Sequence, residues 1–149
     1  MIADAMAKNV GDFDHERALQ ASVNTANVRY FDGLGDYIDN HYVPDEKSGA
    51  SVSITLEFAY NDWCIAQMAK DVNNASTEKE FLLRSEYYNN VYDPKIGYMR
   101  PKLADGTFRE NFDPMDTHGQ GFIEGNAWNY GLYVAQNIDK MVDMMGGKE

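Results

Sequence analysis

In the stretch Gly121-Phe122-Ile123-Glu124-Gly125-Asn126-Ala127-Trp128-Asn129-Tyr130, one carboxyl stands between glycines and is followed by an amide, an indole and a phenol. Glycine has no Cβ, so the chain can turn tightly and a ligand can come close to the backbone. A carboxyl donates or takes a proton, and Trp and Tyr offer flat apolar faces beside a polar group. These are the parts of an acid site for a sugar. Glu124 would move the proton, Asn126 would hydrogen-bond a hydroxyl and Trp128 would wall a pyranose ring. Each also has a plainer reading. Glu124 and Asn126 can cap a helix beginning at Ala127, where a carboxylate or an amide is favourable, and Trp128 can be core.

The other reactive side chains give weaker patterns. His118 is the histidine nearest this stretch and reads as a solvated loop residue, while His15 and His41 have no evident partner. Asp113 and Asp116 flank Pro114, too sparse a set for a cation, so no metal ligand is assigned. The single cysteine, Cys64, lies in an apolar helical stretch and reads as a buried structural thiol. Met141, Met144 and Met145 read as core packing.

These residues need elements to hold them. A chain of 149 residues, 44% hydrophobic and 13% aromatic, is long enough for one domain with a real core. Its formal charge of -11 argues against nucleic acid and anionic membrane surfaces as partners, and favours a neutral or cationic partner or simple solubility. No apolar run is long enough to cross a bilayer. Met1–Lys8 lacks the basic start and apolar centre of a signal peptide, which leaves localisation open.

Asn9 and Gly11 close a first helix, and Asp14 starts a second that runs to about Asn27. Residues 29–50, with Gly33, Gly35, Pro44 and Gly49, read as a long loop anchored by Tyr30, Phe31, Tyr37, Tyr42 and Val43. From Ser51 to about Val72, two apolar stripes (Val52, Leu56, Ala59, Trp63, Ala66 and Ile54, Phe58, Ile65, Met68) mark a helix buried on most of its circumference. Glu57 and Asn61 lie one turn apart between the stripes and read as a satisfied buried polar pair, with the alternative that both face the centre of a helical ring. Thr77 with Glu80 suggests a capping box opening a helix to about Asn90, packed antiparallel on its predecessor. Residues 93–97 read as a turn. Tyr98–Leu103 and Thr107–Arg109 form a small hairpin across Asp105-Gly106. Residues 111–126 form an irregular loop, and a last helix spans about Ala127–Met145 before Gly146-Gly147.

Four blocks in order, Ser51–Ala69 (SVSITLEFAYNDWCIAQMA), Gly97–Phe108 (GYMRPKLADGTF), Gly121–Trp128 (GFIEGNAW) and Met144–Glu149 (MMGGKE), resemble the exo-acting α-mannosidases of glycoside hydrolase family 92 over nearly the whole chain. The resemblance implies a mainly α fold of antiparallel helical hairpins, with residues 1–149 forming part of an α/α toroid that carries a small β-hairpin. It implies hydrolysis of α-linked mannose with inversion and with Glu124 as general acid. Asn126 and Trp128 would contact a mannose-containing glycan. The family is calcium-dependent, but its general-base aspartates and calcium-site segment have no counterpart here. Calcium is therefore expected in the complete family enzyme and not on this chain alone. The expectation is an interior slice of a larger catalytic domain, inactive by itself and open to self-association through exposed helix faces. The rival expectation is a non-catalytic helical module binding a glycan or a protein. An inverting acid must stay protonated, and burial among Phe122, Ile123 and Trp128 would raise the pKa of Glu124.

Overall fold

The structure, a computed structural model, describes residues 1–147; Lys148 and Glu149, the end of the fourth block, lie outside the described residues. Helices α1 (Ile2–Ala7), α2 (His15–Thr25), α3 (Leu34–Asn40), α4 (Ser51–Asp71), α5 (Ala75–Arg84) and α6 (Ile138–Met144) are joined by a two-stranded sheet, β1 (Tyr92–Asp93) and β2 (Tyr98–Met99). Short 3-10 turns occupy Tyr87–Val91 and Tyr130–Leu132.

α4 is the axis of the molecule. Its two apolar stripes bury Val52, Leu56, Ala59, Ala66 and Ala69 completely and most of Ile65 and Met68, and α1, α2 and α5 all pack on it. α5 returns antiparallel after a short link. Phe81, fully buried, sits in a cluster with Ile65, Ala66, Met68 and Ala69. Burying such a side chain contributes about 1.5–3 kcal/mol. Below that cluster, α3, α4 and α5 meet at a buried charge. Arg84 Nε donates to Asp62 Oδ2 at 3.0 Å, and the Tyr37 hydroxyl lies 2.9 Å from the same oxygen and 3.0 Å from the Arg84 carbonyl. The remaining guanidinium nitrogens donate to Asn27 Oδ1 and the Ala26 carbonyl, fixing the end of α2 as well. Burial pushes the Asp62 carboxyl up to about 6, while Arg84 and Tyr37 pull it down.

Several boundaries differ from expectation. The stretch read as a loop over 29–50 contains α3. Gly33 enters that helix at φ 78°, and a Cβ on Gly35 would lie 2.6 Å from the Arg29 carbonyl, so the glycines serve a helix start and a close crossing. Tyr37, Tyr42 and Val43 are anchors, but Tyr30 and Phe31 are exposed. α5 starts at Ala75 because the Asn74 side chain, not Thr77, caps it, accepting the Thr77 amide at 3.2 Å, and the α-helix ends at Arg84. The expected hairpin at Asp105-Gly106 shrinks to a single bridge, Lys102–Phe108. The paired strands lie earlier, with Tyr92 opposite Met99 across a turn that Gly97 closes at φ 74°.

The last helix is α6 alone. Asn126 and Asn129 exchange side-chain and backbone bonds, at 3.0 and 3.2 Å, and so satisfy local amides without a helix. Asn137 then caps α6. The stop is as read, with Gly146 and Gly147 both at positive φ.

Candidate functional site

The loop bearing Glu124 is docked on the N-terminus of α4. The Gly121 carbonyl accepts the Val52 and Ser53 amides at 2.9 and 3.2 Å, donors that a helix start leaves unpaired. In return Ser53 Oγ accepts the Ile123 amide at 3.1 Å. Gly121 has φ 83°, and a Cβ there would lie 2.6 Å from Pro101 and 3.0 Å from Val52. A Cβ on Gly125 would lie 2.7 Å from Asn129 Oδ1. Gly121 is thus required by its φ and its close contacts, Gly125 lies against the end of the Asn129 side chain, and the two bracket Glu124, which holds the left-handed φ of 54°. That conformation costs a non-glycine residue on the order of 1–3 kcal/mol and persists only where the surroundings impose it.

Glu124 is exposed, and among the described residues its carboxylate has no hydrogen bond or ion pair. It borders an open cavity of ≈ 360 Å³ with Asn129, Tyr130, Leu132 and Tyr133. The expected burial of Glu124 within this chain is therefore corrected. Phe122 points inward, but Ile123 and Trp128 are more than half exposed and do not cover the carboxyl.

Trp128 is not core either. Its ring is tilted against Tyr98 at 6.4 Å and lines a second cavity of ≈ 380 Å³, largely apolar, with Met99, Leu132 and Met141. Leu132 borders both cavities. Asn126 is buried. Its Nδ2 donates to the Met115 carbonyl at 2.8 Å and its Oδ1 accepts the Asn129 amide, so its side chain builds the turn from inside.

Glu57 and Asn61 are not a buried pair. Asn61 is exposed, and the half-buried Glu57 accepts the Tyr130 hydroxyl at 2.7 Å. Burial, then the neighbouring Glu57 carboxylate, pushes the Tyr130 phenol up to about 12. The Tyr130 and Tyr133 rings are tilted against each other at 5.9 Å, and Tyr133 packs edge-on to Tyr60 at 5.6 Å, so an aromatic wall runs from the cavity to α4. Sequence reading missed this wall because it placed both tyrosines in a continuous helix. The available signal was Asn129, Gly131 and Asn137 within that segment and Asn126 just before it.

The remaining candidates are accounted for by local structure. Asp113 and Asp116 accept the amides of Met115 and His118, both at 2.9 Å, as turn formers. His118 is exposed beside Asp116. His15 pairs with Asp71 at 2.8 Å and His41 stacks on Tyr87 at 4.2 Å. Cys64 is half-buried rather than buried, and burial pushes its thiol up. Met141 is core while Met145 is exposed. Among the described residues no group of three or more His, Cys, Asp or Glu side chains is placed to hold a metal ion. These residues do not form a calcium cradle, and no step below runs through one. Among them, too, no helix is long and apolar enough to cross a membrane.

A family model described as the glycosyl hydrolase family 92 catalytic domain matches residues 1–149. Among solved structures, the chain is similar to a family GH92 α-mannosidase from Bacteroides thetaiotaomicron, with 37% identity and a TM-score of 0.92 over 97% of this chain and 19% of that one. It is also similar to a family GH92 inverting mannosidase from the same organism, with 31% identity and a TM-score of 0.92 over 98% of this chain and 21% of that one. An uncharacterized secreted glycosidase from Arthroderma benhamiae is 23% identical over 186 residues, covering 99% of this chain and 24% of that protein. The chain thus spans about a fifth to a quarter of the length of these relatives. Its helical hairpins are part of the α/α toroid fold of the mannosidases.

Proposed function

Because the chain belongs to glycosyl hydrolase family 92, we propose that it forms the acid-bearing part of an inverting α-mannosidase catalytic domain, with Glu124 protonating the departing oxygen. The observation that carries this reading is the state of Glu124. It is an exposed carboxyl with no partner among the described residues, held at φ 54° between two closely packed glycines, at the edge of a cavity with tyrosine walls. The backbone strain at Glu124 supports the role that the family resemblance implies for it.

Inversion requires a second carboxyl roughly 6.5–9.5 Å away across the sugar, with a water between. In this reading the second carboxyl, and the surface that covers Glu124, come from polypeptide beyond these 149 residues. The isolated chain is then inactive, since acid catalysis alone contributes only about 10²–10⁴-fold. Trp128 offers its exposed ring to the sugar beyond the scissile bond. Asn126 acts by shaping the turn that aims Glu124 and Asn129. The substrate class is an α-linked mannoside, and calcium belongs to the complete enzyme.

The test uses the native gene product and an aryl α-mannoside in calcium-containing buffer. Turnover should be lost by orders of magnitude in Glu124→Gln, and the purified 149-residue chain should show none. Full activity of the isolated chain would overturn the partial-site argument. A second reading, a non-catalytic module, draws on the exposed Ile123, Trp128 and Leu132. Mannobiose binding without hydrolysis by the native product would favour it.

A further inference from the structure

Besides the backbone bonds to the Gly121 carbonyl, two hydrogen bonds to α4 side chains hold the segment around Glu124, and both come from one face of that helix. Ser53 and Glu57 are four residues apart, hence stacked one turn above the other. Ser53, buried, accepts the Ile123 amide immediately before Glu124. Glu57 accepts the Tyr130 hydroxyl, and Tyr130 lies against Gly125, immediately after Glu124; a Cβ on that glycine would lie 3.4 Å from the Tyr130 Cβ. Tyr130 also borders the cavity that Glu124 borders. A left-handed glutamate relaxes unless its neighbours are held on both sides, and here both are held from the same helix.

We propose that Ser53, Glu57 and Tyr130 form a positioning unit that fixes the backbone and aim of Glu124. The proposal rests on the reading of Glu124 as the acid. None of the three residues needs to touch substrate; each acts through the loop. The Tyr130 hydroxyl donates to a carboxyl oxygen of Glu57 at 2.7 Å, a short bond. The phenol, pushed up to about 12, stays a donor throughout the working pH range.

Two readouts separate this unit from the acid assignment. In the 149-residue chain, hydrogen exchange of the Ile123 amide should speed about tenfold in Tyr130→Phe and in Glu57→Leu, the expected effect of losing one hydrogen bond. In Glu57→Gln, which keeps an oxygen acceptor, exchange should return most of the way to the parent value. Tyr130→Phe keeps the buried ring, so the fold survives the substitution. In the native gene product, Glu57→Leu and Tyr130→Phe should lower kcat with little change in KM, and Glu57→Gln should restore kcat. Unchanged Ile123 exchange in both disrupting variants would overturn the positioning unit, whatever Glu124 does. Faster exchange combined with full kcat in Glu124→Gln would overturn the acid reading and leave the unit as architecture.

Discussion

Asp62 and Glu124 are both carboxylates of this chain, and their surroundings are opposite. Asp62 is sealed inside, with Arg84 and Tyr37 on the same oxygen and Arg84 anchored in turn to the end of α2. Glu124 is on the rim, unpartnered, in a backbone conformation that glutamate adopts only under constraint. A buried charge is tolerated only when paired, so the first arrangement explains itself as architecture. The second gains nothing for the fold from the carboxylate, and the strain it carries needs another reason. That contrast, more than any one distance, marks the Asp62–Arg84 pair as architecture and supports the proposed chemical role of Glu124.

The comparison can be broken most sharply at the buried end. Arg84→Leu strips Asp62 of its counter-charge, leaving only the Tyr37 hydroxyl on it, and should cost about 3–5 kcal/mol of stability, measured by urea unfolding. A loss below about 1 kcal/mol would show that the pair is not structural. The pH dependence sharpens the same point. Asp62 titrates near 6 in the folded chain against an ordinary value of 3.8, so the folded state takes up a proton first as pH falls. Its stability term is greatest when the group is protonated, declines as pH rises between those two values, and is flat above about 6. Subtracting the stability curve of Asp62→Asn from that of the parent should isolate this slope, and a difference that rises with pH across the window would contradict it. At the rim the sign of the mutational effect reverses. Glu124→Gly relieves the left-handed strain and should raise stability by about 1 kcal/mol, seen as a higher Tm, while removing the acid. A lower Tm would mean that the carboxylate serves the fold.

What could be read before the structure follows from range of interaction. α4 was legible because two apolar stripes at helical spacing mark a buried helix within its own 21 residues. The start of α2 was legible because Asp14 caps it three residues ahead, accepting the Arg17 amide. α3 was hidden because Gly33 and Gly35 look like loop residues until the Arg29 backbone is seen crossing them. The final helix was overdrawn because apolar content outweighed Asn126, Asn129, Gly131 and Asn137, whose local bonding breaks it. At the site, Glu124 and its glycines were legible as a motif. The exposure of Trp128 and the contact of Glu57 with Tyr130, 73 residues apart, were not. Periodicity carries no information about partners so distant along the chain.

The central claim is that Glu124 is a proton donor to a leaving group, and leaving-group dependence tests it most directly. An acid matters most when the departing alcohol is poor. In the native gene product, Glu124→Gln should lower kcat/KM on an α-mannobioside by about 10²–10⁴-fold. On a dinitrophenyl α-mannoside, whose phenolate departs without protonation, the loss should be far smaller. Equal losses on the two substrates would contradict the account.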